Sequence, residues 1–287
     1  MPNNNKNFYE INDNSELFKH FKNSEYRSLK HTNYFYVYDN LFKNFINKNK
    51  IFVEVGVSSG GSLFMWKNFL GPKAKIIGVD FNPTAKKWEK YGFEIYIGNQ
   101  ADPEFWKNFY EKVGKIDILV DDGGHTNEQQ VQTLHNSYKN INDGGIIVVE
   151  DVHTSYFKEF GNPSTYSFIN FSYNIVNKIN NRFFDKRHHF NYQDRIHKVE
   201  FYESLVVLHI DSEKCKKSEP IDNNGKASYA DDYRLKDIKV FSIIDKLKKL
   251  LRKIFPEKIY AMLKKYYPLF KYIIFILKKK KIKKFFK

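Results

Sequence analysis

Cysteine is almost missing from this chain: Cys215 is the single one among 287 residues. A disulfide framework needs pairs and a cysteine-built zinc site needs several, so both are excluded. Long apolar runs are missing too. The nearest approach, residues 266–277, contains Pro268 and Lys271 and falls short of a span, which takes roughly 18–20 uninterrupted apolar residues. The first residues (MPNNNKNFYEINDN) lack the apolar core of a signal peptide, so the body is expected in the cytoplasm. Acidic residues are scarce in one place only. The last 52 residues hold 18 of the 48 Lys+Arg but 3 of the 33 Asp+Glu, so the whole +15 charge lies there and 30 charges of each sign cancel in the rest. A protein that coats nucleic acid with its entire surface is thereby disfavoured. No internal repeat is visible.

What is present is alternation. Residues 51–55, 75–79, 93–97, 115–120 and 145–150 are short, apolar and rich in β-branched side chains, as strands covered on both faces require. Between them, 62–69, 83–90, 103–112 and 127–140 read as helices, two of them with proline in the first turn. Such alternation predicts an α/β fold, a doubly wound parallel Rossmann-like sheet. A helix is expected over 33–47 and another over 163–181, and the runs 197–202 and 205–210 look like a hairpin at the end of the sheet. The expected organisation is an N-terminal helical segment (1–48), a catalytic domain (49–212), a polar linker (213–235) and a basic amphipathic helical tail (236–287).

The polar residues gather after the strands. The first strand contains Glu54 and runs into Gly56, Ser58, Gly60 and Gly61, a turn that lets a ligand approach the backbone and the free N–H groups of the next helix. A tight structural connection would look the same. Asp80 closes the second strand, where a carboxylate can accept both hydrogen bonds of a ribose diol, or else start a turn. Strands four and five run into Asp121-Asp122-Gly123-Gly124-His125 and Glu150-Asp151. Five acids (Glu54, Asp121, Asp122, Glu150, Asp151) thus converge on one edge and call for a cation, unless some of them cap helices. Oxygen ligands favour a hard ion such as Mg²⁺. His125, three residues past Asp122, suits a general base, and His153 is a weaker candidate on the same edge.

The segments FVEVGVSSGGS, GVDFNP, GNQADP, DDGGHT and VVEDVHTSYF resemble, in order, those of class I S-adenosylmethionine (SAM)-dependent methyltransferases. The closest likeness is to the cephalosporin-hydroxylase-like proteins and the metal-dependent sugar and macrolide O-methyltransferases, over about residues 33–210. The resemblance implies SAM and Mg²⁺ as cofactors, with Asp122, Glu150 and Asp151 as metal ligands and His125 as catalytic base. It implies Glu54, Gly56, Ser58, Gly60, Asp80, Gln100 and Asp102 as cofactor contacts, with Asp121 also facing SAM. Gly124 stands where the family often has Ser, which removes a hydrogen bond and little else.

In the tail, Val240, Ile243, Ile244, Leu247, Leu250, Leu251 and Ile254 follow helical spacing with lysines between them, and KKKKIKKFFK ends the chain. This pattern reads as an interfacial element for an anionic membrane surface. A solvated extension or a homo-oligomerisation arm is the alternative, with nucleic-acid binding by the tail the least favoured reading; no (D/N)PP(Y/F)-type base-methylation motif is present. The expectation is an O-methyltransferase acting on a sugar hydroxyl of a saccharide or glycolipid, in bacterial surface-polysaccharide assembly, at the inner face of the cytoplasmic membrane. Two other readings stay open: a non-catalytic SAM-binding membrane scaffold, and an NAD-binding oxidoreductase.

Overall fold

The computed structural model describes residues 14–160, 165–183, 192 and 194–226, with isolated positions between 246 and 283. The chain divides into two compact units, Met1–Glu219 and Pro220–Lys287; the sheet and its helices belong to the first. The expected amphipathic tail lies outside the described residues apart from those isolated positions. Among the described residues, no helix is long and apolar enough to cross a membrane.

Two short helices, α1 (Glu16–Lys22) and α2 (Tyr34–Phe42), precede the first strand. Then β1 (Ile51–Val55), α3 (Gly61–Leu70), β2 (Lys75–Asp80), a 3-10 helix (Pro83–Tyr91), β3 (Glu94–Ile97), α4 (Pro103–Val113), β4 (Ile116–Asp121), α5 (Asn127–Ser137) and β5 (Ile141–Val149) alternate. A short 3-10 turn (Val152–Tyr156), α6 (Phe168–Asn180), β6 (Ile196–Tyr202) and β7 (Leu205–Ile210) complete the domain. The seven strands lie in the order β3-β2-β1-β4-β5-β7-β6. β1 to β5 are parallel, and β7 runs antiparallel to both β5 and β6. The expected hairpin is therefore real, with its second strand inserted next to β5.

Both faces of the sheet are covered, which explains the nearly continuous apolar strands. One face packs Phe52, Val120 and Val148 beneath Leu17, Tyr38, Phe42 and Trp66 of α1, α2 and α3. The other packs Val55, Leu119 and Val149 beneath Trp106, Leu134 and Phe168 of α4, α5 and α6. Three expected boundaries shift. The helix anticipated over 33–47 ends at Phe42, and the segment 83–91 is a 3-10 helix between the Asn82 cap and Gly92. β5 begins at Ile141 instead of 145, because its pairing with β4 jumps from Ile116↔Ile141 to Ile118↔Ile146. The extra residues include Gly144 at φ +82°, a conformation glycine adopts at no steric cost.

Candidate active site

Register decides where each carboxylate points. Val55 pairs with Asp121, and Asp121 with Val149. The ladder continues one residue further, since the Gly56 N–H donates to Val79, Asp122 N–H to Val55 and Glu150 N–H to Asp121. Side chains alternate along a strand, so Glu54, Asp122 and Glu150 share the α1–α3 face. Asp121 falls on the opposite face.

On the first face the acids meet Lys30, from the segment before α2. Its Nζ lies 2.5 Å from Asp122 Oδ2, 2.8 Å from Glu150 Oε1 and 3.8 Å from Glu54 Oε1, with the Lys30 side chain 1% exposed. Burial alone would lower the ammonium, yet Asp122, Glu150 and Glu54 together hold it well above its ordinary value. One cation cannot neutralise three carboxylates. Burial accordingly pushes Glu54 up to about 7 and Glu150 up to about 8, so the cluster retains a proton near neutrality. Glu54 is further held by the Ser62 hydroxyl (2.6 Å) and the Trp66 indole N–H (2.9 Å), and Glu150 by the Tyr38 hydroxyl. Lys30 and Tyr38 belong to the site and were not anticipated. A lone Lys-His pair in a polar stretch carries no sequence signal, whereas Tyr34 and Tyr38, one helical turn apart, could have suggested hydroxyls aimed at the sheet edge.

On the second face, Asp121 Oδ1 accepts from Gln100 Nε2 (2.9 Å) and Gly123 N–H (3.2 Å), and Oδ2 is buried without a partner. Burial raises this carboxyl to about 6. Gln100 also donates to Thr133 and accepts from Gly124 N–H (2.9 Å). In front lies a cavity of about 370 Å³, lined by Gly56, Ser58, Asp80, Gln100, Asp122 and Gly123 among others. Asp80 orders its glycine-rich wall: Oδ2 accepts from Val57 N–H (2.8 Å) and Ser58 N–H (3.0 Å), and Oδ1 from Asn82 N–H (2.8 Å). Gly56, at φ +90°, is needed because a Cβ there would lie 2.0 Å from the Asp122 carbonyl oxygen.

Asp122, His125 and Asp151 converge at the outer rim, each able to offer one ligand atom within 4.8 Å of the others. His125 Nε2 lies 3.5 Å from Asp151 Oδ2 and 3.9 Å from Asp122 Oδ1, while its Nδ1 is buried without a partner. Both His125 and Asp151 have positive φ, 58° and 54°, a costly conformation for residues with a Cβ. The Tyr34 hydroxyl fixes Asp151, donating to Oδ1 (2.6 Å) and accepting from its N–H (3.1 Å).

Several expected contacts sit elsewhere. Glu150 turns inward to Lys30 and Tyr38, so its place in the converging trio is taken by His125. Glu54 is buried on the sheet's far side from Asp121 and braces α3. Gly60 is the left-handed cap of α3, packed so closely on Trp88 that a Cβ would meet its ring at 2.4 Å. Asp102 caps α4 through a bond from Glu104 N–H (2.9 Å). Asp121 stands one layer behind the cavity wall, reached through Gln100.

Residues 53–152 match the family model described as a methyltransferase domain. Over this stretch the chain is similar to a methyltransferase domain. Its seven-stranded sheet has the class I methyltransferase fold, as in the MycE methyltransferase from the mycinamycin biosynthetic pathway, solved in complex with Mg and SAH. That likeness has a TM-score of 0.62 at 23% identity, covering 69% of this chain and 54% of that one. A second MycE structure, which also holds mycinamycin VI, gives 0.60 at 22% identity over 75% and 57%. Demethylmacrocin O-methyltransferase of Streptomyces fradiae is 31% identical over 44% of this chain and 33% of its own length. L-olivosyl-oleandolide 3-O-methyltransferase of Streptomyces antibioticus is 31% identical over 39% and 30%. The chain thus spans about a third of the length of these curated relatives.

Proposed function

We propose that this protein is a SAM-dependent, Mg²⁺-assisted O-methyltransferase acting on a sugar hydroxyl. The observation that carries this reading is the juxtaposition of a glycine-walled cavity with a rim where His125, Asp122 and Asp151 converge. The name of the L-olivosyl-oleandolide 3-O-methyltransferase, with its olivosyl acceptor, supports a glycosylated acceptor.

The residues fit both cofactors. The cavity volume lies in the range of small-molecule sites, and at the rim Asp122 and Asp151 supply two carboxylates, oxygen donors that suit a hard divalent ion completed by water and acceptor oxygens, with His125 beside it and off the metal. Asp80 retains acceptor capacity beyond its three amide bonds and would hold the ribose hydroxyls. Asp121, one layer behind the wall, would act through Gln100, whose amide it holds at the cavity. When bound, SAM would supply a methyl group on a sulfonium leaving group, and Mg²⁺ held by Asp122 and Asp151 would lower the pKa of acceptor hydroxyls and orient them. His125 performs the proton chemistry. With Nδ1 enclosed and Nε2 facing the rim, Nε2 takes the hydroxyl proton as the oxygen attacks the methyl carbon opposite the sulfur. Gln100 and Asp121 keep the Gly123–Gly124 loop in place while this happens.

The finer reading draws on the sequence alone. The lysine-rich residues 236–287 support attachment to an anionic membrane surface, and with it an acceptor in surface-polysaccharide or glycolipid assembly on the cytoplasmic side. Flotation with anionic liposomes should be lost on truncation after Leu235; unchanged flotation would refute the attachment.

Transfer of labelled methyl from SAM into a membrane glycolipid extract, with and without Mg²⁺, tests the activity. Incorporation that needs Mg²⁺ and is abolished in His125→Ala is expected. Tight NAD binding without SAM binding, or incorporation indifferent to His125, would overturn the proposal.

A further inference from the structure

Asp151 has two carboxylate oxygens, and they face two different sets of side chains. Oδ2 looks toward His125 at the rim described above. Oδ1 looks the other way, to His31 Nε2 at 3.6 Å and His153 Nδ1 at 4.0 Å. The His31 and His153 rings stand perpendicular, their centroids 5.4 Å apart, and the three ligand atoms lie within 4.8 Å of one another.

We propose that His31, Asp151 and His153 form a second divalent-cation site, bridged through Asp151 to the carboxylate pair of Asp122 and Asp151 beside His125. The two imidazole–carboxylate separations are too long for hydrogen bonds; His153 Nδ1 pairs with the Ser204 hydroxyl and the His31 ring packs edge-on against Tyr34. The separations suit an ion between the groups: metal–ligand bonds of about 2.1 Å hold their ends about 3.4 Å apart at a tetrahedral angle and about 3.6 Å apart at 120°. His31 is already at that separation, and His153 needs to close by a few tenths of an ångström, exchanging its present contact with the Ser204 hydroxyl for the ion. Oδ1 also accepts from the hydroxyl of Tyr34, which is 1% exposed, and this bond orients the carboxylate as outer partners orient metal-binding carboxylates in general, leaving a second lone pair on Oδ1 for the ion. The His31 side chain is 57% exposed and that of His153 34%, which leaves open positions for water or an acceptor oxygen.

The two sets differ in chemistry. Two nitrogens and one oxygen match the open His₂-carboxylate sites of Zn²⁺. The carboxylates of Asp122 and Asp151 suit a harder ion. A shared carboxylate would place the ions at the spacing of about 3.5–4 Å found in two-metal centres, and would add a second cationic point on the side where an acceptor enters. The second site would therefore take Zn²⁺ or a neighbouring first-row ion while Mg²⁺ fills the first.

The test uses the full chain without SAM or acceptor, so that its outcome is independent of methyl transfer. With Mg²⁺ in excess, Co²⁺ is titrated as the probe and followed by its visible absorption, then displaced with Zn²⁺. One equivalent of Co²⁺ should bind with the spectrum of imidazole ligation. Loss of an outer partner weakens metal sites by about 10–100-fold, so loss of a ligand in His31→Ala or His153→Ala should weaken Co²⁺ by at least about 100-fold. His125→Ala should retain it. The exposure of His31 keeps its replacement compatible with folding. Co²⁺ affinity unchanged in both His31→Ala and His153→Ala would overturn the proposal. So would loss in His125→Ala as large as in His31→Ala, which would place the ion in the first trio.

Discussion

Lys30→Met removes the one lysine that, among the described residues, pairs with Glu54, Asp122 and Glu150. The Lys30 ammonium is completely enclosed and lies within 4.0 Å of three carboxylates, of which Glu54 and Glu150 are themselves buried. Methionine fills the same volume but leaves those carboxylates facing one another. Breaking a buried ion pair by deleting one partner costs about 3–5 kcal/mol; the ion pair to the partly exposed Asp122 adds less, because solvent screens it. For a domain of this size such a loss lowers Tm by about 6–20 °C. Urea unfolding followed by tryptophan fluorescence measures it directly, since Trp66 packs on this face and donates to Glu54. A second variant separates lost attraction from lost packing. In Lys30→Met/Glu150→Gln, one of the stranded charges is gone as well, so the double variant should be more stable than the sum of its singles by at least about 1 kcal/mol. Added Mg²⁺ should recover part of the single variant's loss, because an external cation can reach Asp122. A Lys30→Met protein with the native urea midpoint and unchanged slope would refute the reasoning, because the carboxylates would then need no counter-ion.

Three further outcomes follow from the same geometry. Gly56→Ala meets both a left-handed backbone, which costs about 1–2 kcal/mol in a residue with a Cβ, and the Asp122 carbonyl at 2.0 Å. It should lower Tm and abolish SAM binding in calorimetry, and native-like binding would contradict the close packing of the two loops. Asp80→Asn replaces an acceptor that holds three amide N–H groups; charged hydrogen bonds contribute about 1.5–3 kcal/mol, so SAM affinity should fall by roughly 10–100-fold, and an unchanged value would exclude Asp80 from the cofactor site. Burial, aided by Lys198, holds His209 below its ordinary value against the opposing pull of Glu200. Its folded pKa is lower than its unfolded one, so the unfolded chain takes up the proton first and His209 costs stability as pH falls below about 6.5. Glu54 and Glu150 act in the opposite sense, and for that reason the native protein is compared with His209→Gln. The stability difference between the two should shift against the native chain between about pH 7.5 and 5.5, and a constant difference would refute the assignment.

The parts of this site that were legible in the sequence are those a strand carries by itself. Apolar runs of four to six residues located β1 to β4 within a residue, because burial on both faces leaves few polar options. Asp80, Asp122, His125 and Asp151 could be placed at one edge because a parallel sheet brings all its carboxyl ends there. What stayed hidden depends on distant partners. Lys30 reaches Asp122 and Glu150 across 92 and 120 residues, and no local spacing encodes that. The start of β5 was missed because its first residues pair with β4 only through a shift in register.

Glu150 and Asp151 illustrate the limit most directly. As adjacent acids after the same strand they look equivalent, and both were expected on one metal ion. Strand alternation carries Glu150 on, in register with Asp122, into the Lys30 cluster. Asp151 leaves the strand with φ +54° and swings to the rim. One peptide bond therefore separates a buried structural carboxylate from an accessible one, and the division is set by where the extended backbone ends. Substituting each by its amide should reveal the difference. Glu150→Gln keeps the Lys30–Asp122 pair and is expected to alter stability more than metal affinity. Asp151→Asn weakens cation binding while leaving the fold intact, because its carboxylate faces solvent and imidazoles. Equal effects of the two substitutions on Mn²⁺ binding, read by electron paramagnetic resonance, would mean that Glu150 turns outward when the ion arrives and that Lys30 releases it.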